Sequence, residues 1–223
     1  MQKLKLKKKK KVISVEEQKT KSAKKLALAA VQKQLQLIKL KEWLVMAGFA
    51  GGAAILRAAM QPFPNIEPLT FFAVLSGWLF GKKKGFITGI SALYISNFIV
   101  FGGQGPWTIY QSIGYGIAGF IGGFLRKKAS VLETMFTMFI ATIILQITFN
   151  LGWAFTMGFG IIGAFLTSIP FLLTHLISNT IFGIFLPATK RFIEKKGKFN
   201  EKEICEHVLN RFSALKHKLS KKH

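Results

Sequence analysis

From about Trp43 to Pro187 the sequence alternates between long, almost uncharged apolar runs and short clusters of lysine and arginine. Runs of roughly twenty apolar residues match the hydrocarbon thickness of a bilayer. They predict an all-α polytopic membrane protein, a six-transmembrane-helix bundle occupying residues 42–191, with a basic leader at 1–41 and a polar tail at 192–223. The formal net charge of +23 would suggest nucleic acid in a soluble protein. Here the cations lie in the tails and between the runs, so they read as topology determinants and contacts to anionic membrane lipids, and no nucleic-acid partner is expected. Aspartate is absent and the few glutamates lie outside the middle of the runs, which argues against a proton relay or cation pump. The single cysteine, Cys205, excludes an internal disulfide framework and a CxxC metal site.

In the leader, Lys3 to Lys11 is too charged for a signal peptide, and Leu26, Ala29, Ala30, Leu35, Leu37 and Ile38 among lysines suggest either a surface-lying helix or a disordered basic tail. The six spans are expected at about Trp43 to Met60, Leu69 to Gly81, Phe86 to Phe101, Trp107 to Leu125, Leu132 to Trp153 and Ile161 to Pro187. Basic clusters precede the first span and follow the second, fourth and sixth. The positive-inside rule therefore puts both the N- and C-termini in the cytoplasm and turns the other three connections outward. Those are a rigid proline-rich loop presenting Asn65 and Glu67, a Gly-Gln-Gly-Pro-Trp loop, and a glycine-aromatic connector from Asn150 to Gly160. In the tail, Asn200 with Glu203 and the apolar series Ile204, Val208, Leu209, Phe212, Leu215 and Leu219 predict an amphipathic helix.

Sorted by depth, Arg57, Asn65, Asn97, Gln104, Tyr110, Gln111, Tyr115, Gln146, Asn150 and Trp153 all fall in the outer half or outer loops. Polar groups from many helices at one level suggest a cavity open to the outside, whereas one or two would be interhelical glue. The expected ligand contacts are Asn65, Asn97, Gln104, Trp107, Tyr110 and Gln111, with Arg57 and Asn150 beside them; the default for Arg57 is to snorkel to the interface. His175 and Asn179, four apart on the sixth span, read as a helix contact and not a metal site. Small residues recur at i and i+4 in the first span (Ala47/Gly51, Ala50/Ala54), a smooth face for a partner helix of this chain or of another subunit. No phosphate-cradling loop, His-Glu-x-x-His or Gly-x-Ser-x-Gly occurs, and no inverted repeat is visible. The expectation is a protein that is not an enzyme, binds no cofactor or metal, and holds no energy source of its own.

Arg57, Pro64-Asn65-Ile66-Glu67-Pro68-Leu69-Thr70, Gly77 to Gly81 with its basic turn, Ser96-Asn97-Phe98, and Gly105-Pro106-Trp107-Thr108 with Gln111 resemble the substrate-binding S component of energy-coupling factor (ECF) transporters. The resemblance covers roughly residues 43–190. It implies a six-helix membrane subunit that captures a vitamin or related micronutrient, with cobalamin-type, riboflavin-like, queuosine-precursor and lipoate-like ligands all compatible. It also implies a transmembrane coupling protein, docked on the Ala47/Gly51 and Ala50/Ala54 pairs, and two cytoplasmic ATPases that use the ATP. The alternatives are a structural or assembly membrane protein, which explains the small-residue faces equally well, a secondary permease working alone, and a membrane enzyme acting on lipid, which would need a reactive group or metal that the sequence does not show.

Overall fold

The computed structural model describes residues 2–63, 65–158 and 160–197. The described residues form six helices, α1 (Gln2–Ala59), α2 (Leu69–Phe80), α3 (Lys82–Ser96), α4 (Trp107–Gly122), α5 (Val131–Met157) and α6 (Ile161–Gly197), with no strand among them. The chain separates into two compact units. The first, in its described part, is the leader up to Lys41, which is helical. The second unit, Glu42–Gly197, carries the rest. The tail helix expected around residues 200–219 lies outside the described residues.

Proline and glycine set the helix limits in the second unit. Pro68 precedes α2, and Gly81, with a φ of 95° open chiefly to glycine, turns the chain from α2 into α3. Pro106 opens α4, and α5 starts at a reciprocal capping box between Ser130 and Glu133. Several boundaries differ from the sequence expectation: α1 starts at Gln2 and not near Trp43, and α3 runs from Lys82 to Ser96 and not from Phe86 to Phe101. α5 runs on to Met157, so the connector expected from Asn150 shrinks to the turn at Gly158, whose φ is 68°. α6 continues through both Pro170 and Pro187. The proline ring at 187 removes the N–H that would bond the carbonyl of Gly183, and the hydroxyl of Thr134 on α5 donates to that carbonyl at 2.8 Å instead.

Three helices are long and apolar enough to cross a membrane: Leu28–Ala59 of α1, Val131–Met157 and Ile161–Lys196. The other three are shorter, with 12, 15 and 16 residues, and at 1.5 Å per residue they measure about 18–24 Å. These short helices are locked together by glycine. A Cβ on Gly77, Gly85 or Gly119 would overlap the backbone of a neighbouring helix, so α2, α3 and α4 meet main chain to main chain. Around them lies an apolar core of Val74, Leu75, Leu93, Tyr115, Met138, Leu145 and Leu186, with the Phe49 ring of α1 tilted against that of Phe72 at 5.5 Å.

The second unit has chemically distinct ends. At one end, Glu42 pairs with Lys84, the Trp78 indole donates to the Arg126 carbonyl, and Lys190 donates to the Lys127 carbonyl while lying over the Trp78 ring. These contacts gather Arg126, Lys127 and Lys190 around Trp78, with Lys84 held separately by Glu42. At the other end Arg57 reaches Ser96 and Asn97. With Glu42 beside Lys84 and Arg57 beside Asn97, α1 and α3 run parallel, as an up-and-down order of helices requires.

Candidate binding site

The end remote from the lysines is built around Arg57, in the last turn of α1. Its guanidinium does not snorkel outward. Nε donates to Glu67 Oε2 at 2.7 Å, and one terminal nitrogen donates to both Ser96 Oγ and Asn97 Oδ1, each at 2.7 Å. Five donors in a planar fork suit Arg to gathering several acceptors at once. Asn97, buried at the C-terminal end of α3, passes the network on: its Nδ2 donates to Thr108 Oγ1 on α4, which also accepts from the Gly105 backbone at 3.1 Å. A loop and three helices thus converge on one set of side chains. The side chains of Arg57 and Glu67 retain 19% and 14% of their exposure, so the charge pair is mostly withdrawn from solvent and its Coulomb attraction is screened less than that of a surface pair.

α6 closes the site from the other side. The Ser178 hydroxyl donates to the Asn65 carbonyl at 3.0 Å, which anchors the proline-rich loop where Asn65 adopts a φ of 60°. His175 Nε2 stands 3.9 Å from Glu67 Oε1. Asn179 donates to Thr70 and Thr142, so the expected helix contact at this position exists. His175 itself makes no hydrogen bond through either nitrogen, and Ser112 Oγ, Tyr115 Oη, Asn179 Oδ1 and Thr180 Oγ1 are likewise buried without a partner. Buried polar atoms are paired in the great majority of cases, so this concentration on α4 and α6 is unusual. No group of three potential metal ligands occurs among the described residues.

Of the residues expected from sequence, Arg57 and Asn97 are brought into direct contact, whereas Asn65 is held elsewhere, its backbone carbonyl accepting from Ser178 on α6. Gln104 is exposed and donates to the Tyr94 carbonyl. Trp107 is half-buried, its ring against Gly105 and its indole N–H on the Gly103 carbonyl at 3.3 Å. The Tyr110 ring packs on Gly152, and Gln111 is half-buried beside it in sequence. Asn150 sits in a separate pair between α5 and α6, donating to Ser168 at 2.7 Å with Gln146 alongside. On α1, Ala50 and Ala54 are buried in the unit's own core, while Ala47 is exposed and Gly51 has open space where a side chain would be. Sequence reasoning passed over Glu67 and Ser96 as partners of Arg57 and Thr108 as a partner of Asn97; Ser96 next to Asn97 and the Pro-bracketed Glu67 were the available signals.

Compared with known proteins, a family model described as "Family of unknown function (DUF6580)" matches residues 38–200, well over half of the chain. No curated protein and no solved structure matches.

Proposed function

The chain belongs to the DUF6580 family of unknown function, and from that premise we propose that it is a substrate-binding membrane subunit, the S component of an ECF-type importer that takes up a vitamin or related micronutrient. The observation that carries this reading is the convergence of Arg57, Glu67, Asn97 and Thr108, with unpaired buried polar atoms near by on α6, at the end of the unit opposite the lysine clusters. Interhelical glue needs one or two hydrogen bonds; a network drawing on α1, α3, α4 and the proline-rich loop is the framework of a ligand site. In this reading all six helices span the cell membrane, both termini are cytoplasmic, and the network faces outside. The chain performs no chemistry and binds no cofactor. A transmembrane coupling protein docks on α1, where Ala47, Gly48 and Gly51 are open to approach, and two ATPases supply the work.

Equilibrium binding of a vitamin panel to the purified full-length protein in nanodiscs tests the reading. The expected result is binding of at least one vitamin, weakened at least tenfold when Asn97→Ala and Trp107→Ala are combined. Absence of binding across the panel, or binding indifferent to that double variant, overturns it.

A further inference from the structure

His175 lies on α6 with 1% of its surface exposed and neither ring nitrogen hydrogen-bonded. One turn later Asn179 commits its amide nitrogen to Thr70 and Thr142 and leaves Oδ1 without a donor. Residues four apart share a helix face, so the two unpaired groups lie in register. Opposite His175 is Glu67, whose Oε2 is taken by Arg57 while Oε1 stands 3.9 Å from His175 Nε2. That separation is too long for a hydrogen bond and right for an intermediary: one nitrogen or oxygen atom sits within about 2.8 Å of both.

Charge and hydrogen-bond capacity narrow what that atom belongs to. Arg57 already cancels Glu67, so an anionic group would meet the free carboxylate oxygen and a cationic group would meet the guanidinium. The free functions are Glu67 Oε1 and Asn179 Oδ1, both acceptors, and the imidazole, which offers one donor and one acceptor when neutral. Acceptors are in excess. Resting on the substrate-binding reading above, we infer that this site takes the uncharged edge of a heterocycle bearing N–H groups, of lactam, ureido or amino-heterocycle type. One N–H goes to Glu67 Oε1, with His175 beside it donating to the adjoining ring carbonyl, and another serves Asn179.

The test is calorimetric binding to the full-length protein in nanodiscs with riboflavin and biotin as N–H probes, their ring N-methylated counterparts, and lipoate and choline as charged probes without such an edge. The expected result is that an N–H heterocycle binds, that N-methylation weakens it at least thirtyfold, and that His175→Leu weakens it similarly while raising the ligand-free thermal midpoint by about 2–4 °C, since an apolar group replaces an unpaired polar one. His175→Gln, which keeps a donor and an acceptor, reports in its place if the leucine variant does not fold, with affinity retained within about tenfold. Binding of lipoate or choline alone, indifference to N-methylation, or a His175→Leu variant with a lowered midpoint and intact affinity overturns this inference and leaves the substrate-binding reading standing. Binding of none of the probes, together with none of the wider vitamin panel, overturns both.

Discussion

Arg57 is a lone cation near the end of an apolar run, and the sequence offers two destinations for it, the interface or a partner. Only the placement of α1 alongside α3 decides, because Ser96 and Asn97 are 39 and 40 residues away along the chain. Asn97 was legible as a member of a polar network because an amide within an apolar run demands a partner. Thr108 was not, since a threonine in a helix ordinarily bonds its own backbone. Removing one member of a mostly buried pair leaves the other charge uncompensated. Arg57→Met is therefore expected to lower stability by about 2 kcal/mol, and Arg57→Met with Glu67→Leu to recover most of that loss. Thermal unfolding of the single variants and the double variant, arranged as a cycle, measures the coupling.

Helix limits were readable wherever a proline or glycine marks them, as at Pro68, Gly81 and Pro106. They were misread where a tertiary partner overrides the local signal. Pro187 reads as a stop, yet α6 passes it because Thr134, on another helix, takes over the carbonyl that the proline leaves open. The glycines of α4 read as a smooth face, but which of them are indispensable depends on the neighbours they meet. Gly119 lies against the main chain of both α2 and α3, whereas Gly51 on α1 meets nothing within 4 Å. Gly119→Ala is expected to cost about 3 kcal/mol or prevent folding, while Gly51→Ala changes stability by less than about 1 kcal/mol in either direction. Midpoints of thermal unfolding in one detergent separate the two. Under the importer reading, Gly51→Leu additionally weakens co-purification with a coupling protein while leaving ligand affinity unchanged.

At the scale of the whole molecule, the alternation of apolar runs and lysine clusters was enough to foresee six helices and which connections share an end. It did not reveal how the polar residues divide, with Arg57 and Asn97 in one network and Asn150 in another. That division depends on helix rotation, which periodicity in an almost uniformly apolar helix does not encode. The sidedness itself is measurable. In a Cys205→Ser background, Gln104→Cys is expected to react with a membrane-impermeant maleimide in intact cells and Lys128→Cys only after lysis; the reverse pattern removes the outward-facing site.

The short glycine-locked trio carries a consequence for the surrounding lipid. Placed in a bilayer whose hydrocarbon is about 30 Å thick, α2, α3 and α4 offer an apolar belt about 6–12 Å too narrow, while α5 and α6 on another flank match or exceed it. Under the importer reading, in which the trio spans the membrane, acyl chains beside it compress or tilt where those beside α5 and α6 need not, and the protein is expected to sit in a lopsided dimple of its own making and to favour thin membranes over thick ones.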